Sequence, residues 1–569
     1  MGEALRLALA GCGGMGRRHL RGYGVLEEAE PGLLELAAVV DPSLDRATFL
    51  AGEAEQILGH RPAAFTTLEA ALAATPDVAV VDIVAAVSAH HTLTQVAAAA
   101  GAHVLCEKPM APTVAACRAM QQAAAGAGRL LSIAENYRRD PMTRLAAALL
   151  QAGAIGEVRS FVDLKASGGH SGVAGAWRYR RSEGGPILEA GVHRTDLHLY
   201  LCGPAAKVMA AQRLHEPLRD FAGSKLKVFH DHYADDNPEV QELDAPDLLM
   251  ALIELGSGAV GQWTYDDGAH GPAAASFVIY GSEGQMALGG VNRGDPPQVF
   301  RAGAAEPLPD EELLRLVPDF ALDRRTAALY GGDRLARYDN GGHGLGSGAD
   351  VKLQAIQVGE LLDAVAGAGG PEAPGRATVE VDAEVGLAAA GLVLACHEAA
   401  HAGQPVAVGD VLSGAVDAYQ RPVNGALGLY PPAPALSDVG HEGAHLLGVP
   451  FPPSRDVGQV AADGEVAHSH LLVLLGGLRA GDLGPWRDLA GQSGLEHLAA
   501  CFVHLRGVAV ERQAEVHRVV GAPPLNHVQS GDLQDLVDLL HGSALLDHHA
   551  HHDVACRLHV VLAVGVRDQ

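Results

Sequence analysis

With 569 residues the chain exceeds what one hydrophobic core usually serves, so we expect two or three domains. It is 48% hydrophobic and 19% charged, and its formal net charge of −27 disfavours nucleic acid as a partner. No apolar stretch approaches the roughly 20 residues that span a bilayer, no export signal is visible, and the cysteines stand singly. We therefore expect a cytoplasmic protein with no membrane partner and no disulfide framework.

Short apolar runs alternate with helix-compatible segments over residues 1–137. The runs that read as strands lie at residues 5–10, 36–40, 78–84, 104–106 and 130–134. Between them lie alanine-rich helical patterns, for example at residues 92–100 and 114–125. Alternation of this kind predicts an α/β fold that begins with a doubly wound parallel sheet.

A glycine-rich turn joins the first predicted strand to the first predicted helix. The turn consists of Gly11, Cys12, Gly13, Gly14, Met15 and Gly16. In a G-x-G-x-x-G turn the first glycine permits the tight bend, the second lets the backbone approach a pyrophosphate, and the third lets the helix pack on the strand. The sequence therefore predicts that residues 1–137 form a Rossmann dinucleotide-binding domain.

Asp41 closes the second predicted strand. A carboxylate there accepts hydrogen bonds from the adenosine ribose hydroxyls and repels a 2′-phosphate, which favours NAD over NADP as the cofactor. Asp41 also precedes Pro42, so a surface turn aspartate is the alternative interpretation.

Beyond residue 153 the pattern changes to long strand-like segments that follow one another with turns between them. They lie at residues 158–164, 248–255, 259–265 and 276–280. We predict that residues 138–430 form an α+β domain on an open, mostly antiparallel sheet that binds the substrate and mediates oligomerisation.

The composition breaks sharply at Pro431. The last 139 residues contain no Lys, Ile, Thr, Tyr or Met, yet they hold 14 of the 29 histidines. Two interpretations of residues 431–569 stay open: an atypical, disordered appendage, or a stretch translated from a shifted reading frame. The histidines at residues 548–552 lack a second ligand set, so we predict no metal site.

Two further segments carry a family resemblance. Glu107-Lys108-Pro109 follows a predicted strand, and GGPILEAGVHRTD occupies residues 184–196. Together with the glycine turn, and in the same order, they resemble the GFO/IDH/MocA family of NAD(P)-dependent oxidoreductases, which includes glucose-fructose oxidoreductase and inositol dehydrogenase. The resemblance covers about residues 4–410.

The resemblance implies hydride transfer between NAD(H) and the hydroxyl or carbonyl carbon of a sugar, cyclic polyol or derivative. It implies that Lys108 hydrogen-bonds the reacting oxygen and that His193 serves as acid or base. Glu189 stands where relatives usually carry aspartate and can still accept a hydrogen bond. These residue types suit the chemistry, because a desolvated lysine has a lowered pKa and histidine titrates near neutral pH.

The resemblance also implies contacts from residues near the domain junction. Cofactor contacts are expected from His90, Glu107, Lys108, Asn136, Trp177 and Arg178, and substrate contacts from Lys108, Tyr137, His193 and Asp196. Asp196 shares a helix face with His193, so it is either a ligand of a substrate hydroxyl or a buried structural carboxylate.

Three functions stay open. The leading one is an NAD-dependent dehydrogenase or reductase, and the second is a non-catalytic nucleotide-binding regulator of the same fold. The third is redox-assisted glycoside cleavage, in which the nicotinamide is reduced and then regenerated. By analogy with the open sheets of this family, we expect a homodimer or homotetramer.

Overall fold

The computed structural model describes residues 4–172, 175–221, 240–339, 348–368 and 379–430. Its first sheet has six parallel strands in the order β3-β2-β1-β4-β5-β6. They are β1 (Leu5–Ala10), β2 (Leu34–Val40), β3 (Ala63–Phe65), β4 (Val80–Ile83), β5 (His103–Cys106) and β6 (Leu131–Ile133). The direction of winding reverses between β1 and β4, which opens a crevice at the carboxyl ends of these strands.

Five helices connect these strands and cover both faces of the sheet. They are α1 (Gly14–Ala29), α2 (Leu44–Leu58), α3 (Leu68–Ala74), α4 (His90–Ala99) and α5 (Val114–Gly126). Helices α2, α3 and α5 have Ser43, Thr67 and Thr113 as their N-cap residues. The hydroxyl of each accepts a hydrogen bond from the backbone N–H three residues further along the chain. Helix α1 begins after Gly13 without a side-chain cap, so its first turn can offer backbone N–H groups to a ligand.

The second sheet has eight strands in the order β15-β14-β13-β7-β12-β11-β8-β16. They are β7 (Val158–Ala166), β8 (Ala205–Arg213), β11 (Leu248–Leu255), β12 (Val260–Asp266), β13 (Ala274–Gly281), β14 (Gly284–Ala287), β15 (Gln298–Arg301) and β16 (Val406–Ala407). Strands β9 (Leu218–Asp220) and β10 (Val240–Glu242) form a separate pair. Strands β7 and β12 are parallel and the other pairs are antiparallel. The predicted fold class is thus confirmed.

Among the residues that the structure describes after the first sheet, eight α-helices accompany the second sheet. They are α6 (Pro141–Gln151), α7 (Gly185–Cys202), α8 (Asp310–Leu316), α9 (Arg324–Tyr330), α10 (Gly348–Ala368), α11 (Ala383–Ala402), α12 (Val408–Ser413) and α13 (Arg421–Ala426). Among the described residues, α11 is the one helix long and apolar enough to cross a membrane by length and composition. Of its apolar window 67% is buried within the protein, which is also typical of a core helix.

The second sheet has one covered face and one bare face. Helices α7 and α11 pack on the covered face, where Phe161 and Trp263 are buried. On the opposite face Met209, Met250 and Leu252 are 56%, 51% and 53% exposed. This is the period-two alternation of a half-buried strand.

Helix α10 returns to the first sheet. Ala355, Val358 and Leu361 share one core cluster with Leu7 and Leu20 of β1 and α1. The predicted boundaries placed residues 348–368 in the second domain, because periodicity reveals an apolar helix face but not its partner. The predicted tail from Pro431 lies outside the described residues.

Candidate active site

The turn between β1 and α1 forms one end of a cleft of about 800 Å³. Gly11 has a φ of +114°, and a Cβ there would lie 2.6 Å from the backbone of Val84. A Cβ on Gly16 would collide with the Gly11 carbonyl group, so its absence lets α1 pack against the turn. At Gly13 a Cβ would meet nothing within 4 Å. The same end of the cleft is also lined by Gly14 and Met15. This cradle fits the pyrophosphate of a dinucleotide.

Asp41 follows β2 and lines the same end of the cleft. Its Oδ2 accepts a hydrogen bond from the Cys12 N–H at 3.0 Å, and its Oδ1 accepts one from the Ser43 N–H at 2.9 Å. These bonds hold the carboxylate where it can accept ribose hydroxyls. The Cys12 side chain is fully buried with its Sγ 3.5 Å from the Val40 carbonyl oxygen, and Cys12 is not among the residues that line the cleft.

Lys108 reaches the cleft from the chain that follows β5. Its Nζ donates to the Glu189 side-chain Oε1 at 2.8 Å and to the Glu189 carbonyl oxygen at 2.9 Å. The Arg178 guanidinium bonds the same carboxylate oxygen. Burial, together with the positive charge of Arg178, lowers the pKa of Lys108. Glu189 therefore bridges two cations at the centre of the cleft.

Glu107 lies beneath Lys108 in a buried ionic network. Its Oε1 is 3.0 Å from the His19 Nε2, and the His19 Nδ1 is 2.7 Å from the Asp82 Oδ2. The Tyr23 hydroxyl donates to the same Asp82 oxygen at 2.5 Å. Burial opposes the ionised forms, but the pairing outweighs it: the pKa of His19 is raised to about 10 and the pKa of Glu107 is lowered to about 2. The network anchors the segment that carries Lys108.

His193 projects from α7 into the cleft. Its Nδ1 is hydrogen-bonded to the Glu135 Oε1, and its ring stacks on Tyr137 with centroids 3.9 Å apart and an interplanar angle of 6°. Within the described residues its Nε2 makes no hydrogen bond, which leaves that nitrogen for a ligand. Burial, and then the charge of Lys108, lower the pKa of His193 well below its usual value.

Comparison with known proteins identifies the family that has this arrangement. A profile of the GFO/IDH/MocA oxidoreductase family, with an NAD-binding Rossmann fold, matches residues 5–135, and the C-terminal domain profile of that family matches residues 143–287. The dTDP-3,4-didehydro-2,6-dideoxy-alpha-D-glucose 3-reductase of Streptomyces violaceoruber is 30% identical over 375 residues, 64% of this chain and 95% of that protein. This chain belongs to the GFO/IDH/MocA family.

Other relatives agree with this assignment. Levoglucosan dehydrogenase of Pseudarthrobacter phenanthrenivorans is 27% identical over 312 residues, 53% of this chain and 78% of that protein. A solved structure of levoglucosan dehydrogenase with NADH and L-sorbose matches at a TM-score of 0.54 and 25% identity, over 72% of this chain and 99% of that one. The predicted family, the oxidoreductase activity and NAD as the cofactor are therefore confirmed for this GFO/IDH/MocA enzyme.

The structure brings most of the predicted site residues of this enzyme to one cleft. Besides those described above, the lining includes Asn136, Tyr137, Trp177 and Arg178. Trp177 and Arg178 also contact each other, with the guanidinium 4.5 Å from the indole ring centroid. The two come from a short 3-10 turn, Ala176–Tyr179, that precedes α7.

Outside the glycine turn, two residues that were predicted to contact cofactor or substrate do not line the cleft. His90 is fully buried, and its ring nitrogens lie 3.1–3.2 Å from the carbonyl oxygens of Ala85, Pro109 and Met110. His90 therefore packs against the segment after Lys108 and does not line the cleft. Burial lowers the pKa of His90.

Asp196 is likewise fully buried. Its Oδ2 accepts from the Arg138 Nε at 3.0 Å, and the Arg138 Nη2 bonds its other oxygen. The structural alternative for this carboxylate therefore agrees with the geometry, and Asp196 does not line the cleft. Helical spacing put it on the His193 face but could not show that this face is packed.

Several residues that line the cleft were not predicted from the sequence. Arg18 of α1 is paired with Asp350 of α10, and both line the cofactor end. Lys165 and Tyr265 lie near the ends of β7 and β12, Asp267 directly follows β12, and all three line the cleft. Their strands were recognisable, but only the parallel pairing of β7 with β12 reveals that their carboxyl ends meet at one place.

Away from the cleft, His170, Glu216 and His270 bring three metal-capable atoms within 4.8 Å of one another. Each imidazole is 2.7 Å from one oxygen of the Glu216 carboxylate. Two imidazole N–H donors on one carboxylate satisfy these groups without an ion. The absence of a metal from the reaction stays a prediction.

Proposed function

We propose that this enzyme transfers a hydride between NAD(H) and a hydroxyl or carbonyl carbon of a sugar, cyclic polyol or derivative, using Lys108 and His193. The observation that carries the proposal is the meeting of these two side chains in the cleft that begins at the glycine turn. They come from different elements, the end of β5 and the middle of α7. When bound, the nicotinamide supplies the hydride acceptor or donor.

Each polar residue has a distinct part in this reaction. Lys108 donates a hydrogen bond to the reacting oxygen and stabilises negative charge that develops there. Glu189 holds the Lys108 ammonium group through the 2.8 Å bond. His193 exchanges the hydroxyl proton through Nε2. The indole of Trp177, which also lines the cleft, excludes water from it.

The substrate class rests on the relatives and on the polar lining of the cleft. Named relatives include dehydrogenases for levoglucosan, D-apiose, D-glucoside and inositol. On the wall formed by β7 and β12, the Lys165 Nζ lies 2.6 Å from the Asp267 Oδ1 and 4.4 Å from the Tyr265 ring centroid. A fixed donor and acceptor pair beside an aromatic ring suits a polyhydroxylated ring.

The non-catalytic alternative has no comparable support. The named relatives above are dehydrogenases and reductases, and both proton-handling residues line the cleft. Redox-assisted glycoside cleavage would consume a glycoside with no net formation of NADH. Product analysis in the following experiment distinguishes it.

The test is nicotinamide absorbance with a panel of inositols, aldoses and anhydrosugars, with NAD and then NADP. We expect turnover with at least one member, and a loss of about 100-fold or more in kcat/KM for Lys108→Ala. Lys207→Ala is the matched control, since Lys207 is exposed on β8 and should retain the wild-type rate. Tight NAD binding without turnover of any panel member would instead support the regulator.

We also propose a homodimer or homotetramer in the cytoplasm. The bare apolar face of the second sheet supports association, because contiguous exposed apolar side chains mark interaction surfaces. Cys106, Cys117, Cys202 and Cys396 are buried and form no disulfide among the described residues, which fits a reducing compartment.

A further inference from the structure

Glu135 is a buried carboxylate with only one of its two oxygens in use. It follows β6 and is 1% exposed. Its Oε1 bonds the His193 Nδ1, whereas its Oε2 is buried and has no hydrogen-bond partner within the part of the chain that the structure describes. A half-satisfied buried carboxylate is costly, and such groups concentrate at functional sites.

The cations near Glu135 are bonded to other carboxylates. The Arg138 Nε donates to Asp196 at 3.0 Å, and the Arg139 Nε donates to Glu360 at 2.9 Å. Lys108 is held by Glu189. The charged groups that act on Glu135 or His193 are Arg18 on α1, Glu107 and Lys108 after β5, Arg138 and Arg139 after β6, and Asp196 on α7. Among the described residues, none of these groups forms a hydrogen bond with the Glu135 carboxylate.

Formation of an imidazolium at His193 is unfavourable in this environment. Burial and Lys108 both lower the pKa of His193, and a bound oxidised nicotinamide would add a further positive charge. Burial raises the pKa of Glu135 above the usual range for a carboxyl group, and the charge of Lys108 only partly opposes this. A proton is therefore held more favourably on the carboxylate than on the ring.

We propose that Glu135 acts through His193 as the terminal proton acceptor when an alcohol is oxidised, and as the proton source when a carbonyl is reduced. In oxidation the substrate O–H bond breaks as the Nε2–H bond forms, and the Nδ1–H bond breaks as the Glu135 Oε1–H bond forms. The substrate carbon loses a hydride to the nicotinamide, so the alcohol is oxidised and NAD is reduced. After product release the proton returns through the ring to water in the cleft.

The relay keeps the imidazole neutral throughout, which removes the charge that the site disfavours. It gives Glu135 a positioning and proton-accepting role without contact with the substrate. Ring stacking on Tyr137 keeps the imidazole plane fixed while its two nitrogens exchange protons. This inference rests on the proposed function and names the route that its proton takes.

The test compares Glu135→Gln with Glu135→Asp in the full chain. A glutamine can accept the Nδ1–H bond and preserve ring orientation, but it cannot take the proton. We expect kcat for oxidation to fall about 100-fold or more in Glu135→Gln while KM for NAD stays within about threefold. The acidic limb of the kcat profile against pH should disappear. Glu135→Asp should recover about tenfold or more over the glutamine variant.

Glu398→Gln is the matched control. Glu398 is 1% exposed and accepts backbone N–H groups at 2.9 and 3.2 Å far along the chain from the cleft, so it reports the general effect of neutralising a buried glutamate. A Glu135→Gln enzyme with wild-type kcat and an unchanged acidic limb would overturn the proposal.

A second readout needs no turnover. ¹⁵N NMR of labelled histidines in the NAD complex, with His193 assigned by its loss in His193→Asn, reports which ring nitrogen carries the proton. We expect a change from Nε2–H to Nδ1–H as pH rises, and no such change in Glu135→Gln. A tautomer that is independent of Glu135 overturns the relay, whereas a failure of wild-type enzyme to turn over the sugar panel counts against the proposed function alone.

Discussion

Helices cover both faces of the first sheet, whereas the second sheet is covered on one face and bears exposed apolar side chains on the other. At the carboxyl edge of the first sheet, polar groups are desolvated, so their pKa values respond strongly to each partner. The bare face of the second sheet is exposed to solvent, so substitutions of polar groups there change the free energy of unfolding little. A sheet covered on both faces thus holds desolvated groups suited to catalysis, whereas a sheet covered on one face leaves a surface for association.

The largest effect on the free energy of unfolding is expected at His19, in the buried ionic network beside the first sheet. His19→Ala leaves Asp82 and Glu107 buried without their cation, which should remove roughly 3–5 kcal/mol of unfolding free energy. The pKa of His19 is raised in the folded state to about 10, compared with about 6.5 in the unfolded chain. Its stabilisation is therefore complete below the unfolded value and is lost as pH rises through the folded value.

Urea unfolding of both proteins over this range measures the effect. The difference between wild type and His19→Ala should shrink as the pH approaches about 10. His215→Ala, at an exposed histidine of the second domain, is the control and should have little effect. A difference that stays constant with pH would show that lost packing, and not lost charge pairing, dominates.

The next effect separates two glycines of the same turn. Gly11→Ala forces an L-residue to a φ of +114° against the Val84 backbone, so we expect about 1–3 kcal/mol of destabilisation and loss of NAD affinity. At Gly13 a Cβ meets no protein atom within 4 Å, so Gly13→Ala should leave the melting temperature unchanged and weaken NADH binding about tenfold. Thermal unfolding and NADH fluorescence titration check both. Equal affinities in the two variants and wild type would remove the cradle from the cofactor site.

Cofactor choice should change more modestly. Asp41→Asn keeps the size of the side chain and an acceptor for one of its two backbone donors, but it removes the negative charge that repels a 2′-phosphate. We expect the NAD to NADP ratio of kcat/KM to fall about tenfold, or ~1.4 kcal/mol. Asp45→Asn, on the exposed start of α2, is the control. An unchanged ratio would mean that Asp41 only organises the turn.

The smallest effect on folding is expected on the bare face of the second sheet. Leu252→Glu should change the free energy of unfolding by no more than about 0.5 kcal/mol and leave NADH affinity intact. It should nevertheless dissociate the oligomer, as measured by light scattering after size exclusion. Leu44→Glu is a matched control, because Leu44 on the first domain is 52% exposed, compared with 53% for Leu252. A wild-type assembly state in Leu252→Glu would place the interface elsewhere.

Local patterns predicted much of the fold and part of the site. Strand-like runs, the glycine turn and the segments around Lys108 and His193 are each contiguous in sequence. The spacing of the runs and of the glycines indicated a parallel sheet and a dinucleotide cradle, and the resemblance of the segments indicated the family. Glu135 directly precedes Asn136, a predicted cofactor contact, but its pairing with His193 joins residues 58 positions apart. No periodicity shows such a pair.

Five of the six strands of the first sheet, the cradle glycines and the residue types needed for proton exchange followed from the amino-acid sequence by itself, because each depends on neighbours along the chain. Tertiary structure alone decided which side chains are dry and what they contact. It turned His90 and Asp196 inward, returned α10 to the first sheet and set an unpaired oxygen of Glu135 beside His193. Desolvation depends on everything that packs around a group, and most of that comes from distant parts of the chain.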